Sequence, residues 1–406
     1  MNPQISKISQ SNTHYDEFSF TISNINKCFV NALRRVCLTD IDTTVITEIN
    51  IEENSSRLIN NEVLKHSISC IPVFATGIQK EEMQEWCERY ELVLKKVNTS
   101  AHIMHVTSGD FQIRDKKTGS FLIEEQRNLH FPADPFTKDH ILFMILRPHI
   151  GKLDDDDEDD EDDEDGGKEM KKKAFQYEGE RISLTAQFSL SCSRENAIYN
   201  VVETCYFVNS VNEDEIEQEW MRRSEKMQYI ASITAEEIEF AKQNFLLLDA
   251  NRSIIPNSFD FTIQSLGVFS NRNILQKALH FLVQKLNRLE EEELNRNYVN
   301  MIEESLTTME NCYDVLFVNE DYTLLEILNF LIHETYDHIG RKQNDVESNV
   351  EKILSYCSYI VNAHSKSSIL RIGFYHETTK EDVLKILKEV FGLAKEVLAK
   401  MYHLFD

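Results

Sequence analysis

The chain is 406 residues long, more than one ordinary hydrophobic core accommodates, so length alone points to two or three domains. Hydrophobic residues make up 41% and aromatic residues 10%, which supports packed cores and excludes a disordered chain. Lys plus Arg number 43 against 69 Asp plus Glu, and the formal net charge of −26 is a poor starting point for gripping a polyanion, without excluding a role inside a nucleic-acid machine whose basic channel lies on another subunit.

The first ordered stretch is predicted at 15–22, where Phe18, Phe20 and Ile22 alternate with polar residues at strand period. Ser23 and Asn24 follow as candidate caps, since both side chains accept from free helix N–H groups. The helix they would cap covers 26–38. There Phe29, Ala32, Leu33 and Val36 form one apolar stripe, with Asn31, Arg34 and Arg35 off it. A β-branched strand over 43–51, a turn at 54–57 and a short helix over 60–69 come next. Residues 73–210 read as a mostly β unit with strands at 92–97, 103–106, 141–146, 183–190 and 201–208. The acidic run 154–165 interrupts that unit, with Gly166, Gly167 and the basic Lys171, Lys172 and Lys173 behind it. Like charges at that density repel one another and bury no apolar surface, so the run reads as a solvated loop.

A polar helical pattern fills 213–244, and Phe259, Phe261 and Ile263 alternate as a strand before Gly267. A long helix opens at Asn273 with Leu275, Ala278, Leu279, Leu282, Leu286 and Leu289 on one face. Residues 290–309 read as a polar helical linker. Beyond it come a strand over 313–318, a helix over 324–332, and strands over 356–361 and 369–374. A final helix carries Leu384, Leu387, Phe391, Ala394, Leu398 and Met401 on one stripe. This order echoes the outer parts of the first unit and predicts two similar halves packed through their long helices.

The chemistry-bearing patterns are negative. The longest apolar run, 141–146, is strand-sized and far short of a bilayer span, and the N-terminus has no basic region followed by an apolar one. The cysteines at 28, 37, 70, 87, 192, 205, 312 and 357 form no CxxC, which fits reduced intracellular thiols and neither a disulfide framework nor a zinc site. A phosphate loop around Gly166-Gly167-Lys168 fails because Asp162 and Glu169 stand where Gly and Ser or Thr are needed. His102 and His105 would point to opposite faces of a strand. Flexible like charges at 154–165 do not pre-form a Mg²⁺ geometry. No G-x-S-x-G, H-E-x-x-H or G-x-G-x-x-G occurs, so no catalytic, cofactor or metal site is expected.

One stretch is distinctive. Asn31-Ala32-Leu33-Arg34-Arg35-Val36, followed by Glu62…His66-Ser67-Ile68…Ile71-Pro72-Val73, resembles the α motif of the α-like subunits of multisubunit DNA-dependent RNA polymerases. Ser67-Ile68 replaces the Arg-Leu of that motif. Residues 259–289 are similar to the family's closing strand and dimerisation helix. Glu320-Asp321-Tyr322-Thr323-Leu324 resembles the start of the first helix in the smaller α-like subunit, with Tyr322 in place of the family's His, and 374–401 resembles its final helix.

The resemblance implies an α+β fold in which two α-like dimerisation units, each a mixed sheet plus long helices, form an intramolecular pseudo-heterodimer with an inserted mostly β domain. The expected boundaries are 1–50 with 255–290 for the larger, third-subunit-like unit, and 51–254 for the insert, which holds the acidic loop 152–173. A helical linker over 291–310 and the smaller, eleventh-subunit-like unit over 311–406 complete the chain. Such a fusion implies a large DNA virus, acting in a factory in the host cytoplasm or nucleus or packaged in the virion.

The implied function is a non-catalytic assembly platform that docks the second-largest and then the largest polymerase subunit, with small subunits at its edge. DNA would be contacted only through the complex, with no membrane and no homodimer. Read from the residues alone, Arg34 and Arg35 are a solvated polar face. The resemblance makes Asn31, Arg34, Arg35, Glu62 and His66 the expected subunit interface, with Arg35 and then Arg34 as the favoured charge-assisted contacts to the second-largest subunit. It also makes Leu275, Leu279, Leu282, Leu286, Leu387, Phe391, Ala394 and Leu398 the facing dimerisation stripes. The alternative is an acidic chaperone that captures basic partners through the run 154–165.

Overall fold

The computed structural model describes residues 1–11, 17–74, 80–148, 179–228, 234–294, 301–305, 309–337, 353–362, 364 and 367–405. The acidic run 154–165, the loop 152–173 and much of the expected linker lie outside the described residues. From the N-terminus the chain forms β1 (Gln4–Ser11), β2 (Glu17–Ser23), α1 (Lys27–Thr39), β3 (Thr43–Asn54), α2 (Asn61–Ser69) and α3 (Lys80–Arg89). Then come β4 (Tyr90–Val97), β5 (Met104–Thr107), β6 (Gln112–Asp115), α4 (Glu124–His130), β7 (Leu142–Leu146) and β8 (Arg181–Ser191). Next are β9 (Val202–Val211), α5 (Glu213–Gln228), α6 (Ala235–Asn244), β10 (Ile254–Ser265) and α7 (Asn271–Arg288). The last stretch holds β11 (Ile302–Glu304), β12 (Cys312–Val318), α8 (Tyr322–Ile332), β13 (Leu354–Asn362), β14 (Ser367–Phe374) and α9 (Lys380–Tyr402).

These elements make two compact units. The first comprises 1–41, 202–266 and 270–406, and the second 42–201 with 267–269. The expected boundaries at 50 and 254 shift accordingly. β3 pairs with β8 from Thr43 onward, which draws the whole strand into the second unit. β9 pairs with β10 through Phe207↔Phe261 and Cys205↔Ile263, which draws it into the first. Strand pairing overrides the local pattern here, because a strand belongs to whichever sheet satisfies its backbone groups.

The first unit contains the same topology twice. One antiparallel sheet runs β1-β2-β10-β9 and the other β11-β12-β14-β13, with α1 and α7 accompanying the first and α8 and α9 the second. The correspondence holds residue by residue. β2 falls on β12, with Phe18, Phe20 and Ile22 matching Tyr313, Val315 and Phe317, all buried. Asn24 matches Asn319, and both adopt left-handed backbone at φ 59 and 60. That conformation turns the chain sharply from strand into helix, and Asn tolerates it better than residues with bulky side chains. Asn26 matches Asp321, and each accepts from the amide two residues on as an N-cap. Asn26 thus takes the capping role expected of Ser23 or Asn24. The seven buried positions of α1, Cys28, Phe29, Val30, Ala32, Leu33, Val36 and Cys37, fall on the seven of α8, from Thr323 to Ile332.

The second unit is built on an antiparallel sheet ordered β3-β8-β4-β6 and the hairpin-like pair β5-β7. Its core gathers Ile46, Leu64, Ile68, Leu92, Leu94, Phe111, Ile113, Phe131, Leu184 and Phe188, with Trp86 packed against it. Four elements go beyond the sequence reading: α3, β6 and α4 in this unit, and β1 as an edge strand of the first. A fifth, β11, lies inside the stretch expected to be helical linker and pairs with β12 at Ile302↔Val315.

Candidate functional site

Helix α1 carries the most specific motif. Its buried stripe fixes which way it faces, and that leaves Asn31, Arg34 and Arg35 partly exposed. Arg34 donates from Nε and Nη2 to Asn31 Oδ1, at 3.1 and 3.0 Å. That acceptor is neutral, and among the described residues the Arg34 charge has no carboxylate partner. Arg35 is turned inward to the other half of the unit. Its Nε donates to Thr323 Oγ1 at 2.8 Å and its Nη2 to Asp321 Oδ2 at 3.2 Å. Asp321 meanwhile uses Oδ1 to accept from the Thr323 amide at 2.9 Å, so the cap of α8 and the clasp of Arg35 are one feature.

A second ionic contact lies beside it. Glu320 has no exposed side-chain surface, and Lys285 Nζ sits 2.8 Å from its Oε2, with Arg288 Nη2 at 3.7 Å from Oε1. Among the described residues neither oxygen receives a well-aligned hydrogen bond, so this is a close ion pair and not a directed one. Burial pushes the Glu320 carboxyl above the ordinary carboxylate range, against the opposing pull of Lys285 and then Arg288. Lys395 pairs with Glu290 in the same unit.

The stripes expected to face one another are buried throughout. Leu275, Leu279, Leu282 and Leu286 on α7, and Leu387, Phe391, Ala394 and Leu398 on α9, all lie at 1% exposure or less. α7 and α9 contact each other, and α1 contacts α8. Gln276 Nε2 donates to the Phe405 carbonyl at 3.2 Å, and the Phe405 ring meets Phe20 edge-on at 5.2 Å.

Glu62 and His66 lie in the second unit, on α2. Asn60 caps that helix by accepting from the Val63 amide at 2.9 Å. Both residues are exposed, Glu62 in the first turn and His66 in the last, beside the half-exposed Val63. The Glu62 carboxylate therefore sits at the positive end of the helix dipole. His102 and His105 are exposed, Cys70 is exposed, and Cys87 is buried with its Sγ 3.9 Å from Thr44 Oγ1. Among the described residues no group of three or more His, Cys, Asp and Glu is placed to hold a metal ion. No helix among them is long and apolar enough to cross a membrane.

Sequence reasoning did not assign Glu320, Asp321, Thr323, Lys285 or Arg288 a role. The available signal was Lys285 itself, a cation between Leu282 and Leu286 on an otherwise apolar stripe.

The first unit thus carries one sheet-and-helix topology twice, with the stripes of its long helices buried. The sequence profile of the RNA polymerase Rpb3/Rpb11 dimerisation domain matches residues 19–286. The chain belongs to that family. Curated relatives match over shorter stretches. A DNA-directed RNA polymerase subunit Rpo3 from Methanosphaera stadtmanae is 32% identical over 69 residues, 17% of this chain and 25% of that protein. The protein of the same name from Methanothermobacter thermautotrophicus is 29% identical over 79 residues, 18% of this chain and 29% of that protein. A conjugation stage-specific protein from Tetrahymena thermophila is 28% identical over 116 residues, 26% of this chain and 37% of its own length. The chain thus aligns with about a quarter to a third of each of these relatives. The Rpb3/Rpb11 profile ends within α7, so the second copy of the topology lies beyond the matched residues.

Proposed function

We propose that this chain is a non-catalytic assembly platform of a multisubunit DNA-directed RNA polymerase. In this reading it fuses the larger and the smaller α-like partners into one intramolecular pseudo-heterodimer. The observation that carries the proposal is the doubled topology of the first unit, with its first copy, apart from β1 and the outer ends of β2 and α7, inside the stretch matched by an Rpb3/Rpb11 dimerisation domain. Two such halves normally bury their helix stripes against separate partners. Joined in one chain, they meet at an effective concentration on the order of mM, so dilution does not separate them. The second unit is then the inserted domain.

In this reading the platform docks the second-largest subunit and then the largest, with small polymerase subunits at its edge and DNA reached only through the complex. Asn31 and Arg34 supply a docking contact on α1. Arg34 is preferred to Arg35 because its only acceptor among the described residues is an amide oxygen, which leaves its charge available for a carboxylate. Arg35 anchors the two halves beneath it. Glu62 and His66 form a further contact on the second unit. The fusion itself points to a large DNA virus, with action in a host-cell factory or in the virion.

The test is affinity purification of the tagged full chain from its native cells or infection, followed by mass spectrometry. Two very large polymerase subunits recovered in near-equal amounts support the platform; recovery of the chain without them rejects it. Arg34→Glu should lose those subunits while the purified chain melts within about 2 °C of the wild type, as expected for a surface change. Retention of both subunits by Arg34→Glu removes that residue from the interface.

A further inference from the structure

The two halves of the first unit correspond position by position in topology, yet at one buried turn position they differ in kind. Ile25 in the first half matches Glu320 in the second: each lies between the left-handed Asn and the helix cap, and each is buried. The partners differ in the same sense. β10 and β14 pair with their neighbours in equivalent register, through Phe261↔Phe20 and Leu370↔Val315. Ser270 and Thr379 then cap α7 and α9 at matching positions. Counted from those caps, Lys285 falls on Ala394 and Arg288 on Val397, both buried. One set of positions therefore holds a buried carboxylate facing cations, and the matching set, Ile25, Ala394 and Val397, is apolar.

We propose that the Lys285–Glu320 ion pair, with Arg288 beside it, is the determinant that makes unlike halves pair and prevents like halves from pairing. The excluded pairings include those between two copies of the chain. Two first halves together would set Lys285 and Arg288 against Ile25. Two second halves would set Glu320 against Ala394 and Val397. Each arrangement buries a charge without a partner, and that cost falls on the wrong pairing alone. The correct pairing need gain little from the ion pair itself, because desolvation offsets most of the attraction. Arg35 adds to the same polarity, since its match on α8 is Phe330 and its acceptors, Asp321 and Thr323, belong to the second half. Cations on the first half and carboxylates on the second make one surface self-rejecting and the pair complementary.

The inference deepens the pseudo-heterodimer reading and rests on it, but needs no polymerase subunit, so its test is separate from the affinity purification above. Full-length Lys285→Glu and full-length Glu320→Lys are prepared with different tags, along with the chain carrying both substitutions. Each single variant sets like charges together in a buried place and should melt about 6 °C or more below the wild type. The doubly substituted chain restores an opposite pair and should recover at least half of that loss. Refolded together, the two single variants have one complementary solution, a reciprocal exchange in which each first half pairs with the other chain's second half. A doubly tagged 1:1 species of twice the monomer mass, melting near the doubly substituted chain, is the expected result in light scattering. Single variants that melt within about 2 °C of the wild type overturn the proposal. So does a doubly substituted chain no more stable than the singles, or a mixture that yields no 1:1 species although the doubly substituted chain folds.

Discussion

Leu282→Ala tests whether the α7–α9 core carries the stability of the first unit. Leu282 is 1% exposed and sits midway along the α7 stripe, between Leu279 and Leu286, which are fully buried. Deleting its three terminal carbons removes transfer free energy and leaves a void that flanking leucines fill only in part, together about 3–5 kcal/mol. The first unit has roughly 240 residues. At about 2.1 cal/mol/K of unfolding entropy per residue, that loss lowers its Tm by about 6–10 °C. The assay is thermal unfolding followed by calorimetry and tryptophan fluorescence. The chain has two tryptophans, with Trp220 in the first unit, stacked on Phe245 at 5.7 Å, and Trp86 in the second. Trp86→Phe and Trp220→Phe backgrounds therefore report the two units separately. Leu282→Met, which conserves volume, should cost less than about 1.5 kcal/mol in the same assay. A fall of less than about 2 °C for Leu282→Ala, or a fall seen through Trp86 while Trp220 stays unmoved, would refute the reasoning.

Two further predictions concern single sites. The His130 imidazole is held below its ordinary value by burial, partly offset by the 3.1 Å contact of Nδ1 with the Phe74 carbonyl, and its ring lies 4.7 Å from Trp86. A depressed imidazole stabilises the folded state above the ordinary histidine value, and that contribution disappears as pH falls through the folded value. The transition reported by Trp86 should therefore fall between pH 7.5 and 5, and His130→Gln should flatten the slope; parallel slopes would exclude His130 as the cause. Asn24 and Asn319 both hold φ near 60, so Asn→Gly at either site should be neutral or stabilising. Asn→Val should cost about 1–2 kcal/mol at each. Unequal responses at the two sites in urea unfolding would show that the two turns are not energetic equivalents.

How far the sequence could be read depended on how local each signal is. The stripe of α1 was legible because seven buried positions recur at helical period within one element. The apolar faces of α7 and α9 were legible for the same reason, and β10 from its strand-period alternation. α3 was missed because its ten residues, KEEMQEWCER, bury only Met83 and Cys87 fully and read as a polar stretch. β6 has four residues and a charged end, and β11 has three within an acidic context, so neither displays a period of its own. β1 is an edge strand whose side chains are mostly exposed, and an edge strand needs no apolar alternation.

The sequence by itself determined the α+β class, most of the helices and strands, the apolar faces that pack, and the residues that carry the family resemblance. These follow from periodicity and capping, which act over a few residues. Only the tertiary structure decided that β3 leaves the first unit at Asp42, that β9 rejoins it at Val202, and that Arg35 turns inward. Arg35 and Asp321 are 286 residues apart in the chain, so nothing near either one announces the other. The burial of Glu320 was decided in the same way. A carboxylate after a strand reads as a surface residue until the fold places Lys285 within 2.8 Å and closes water out. Charge is read locally as exposure, whereas the cost of burying it, and the partner that offsets that cost, exist only once distant segments meet.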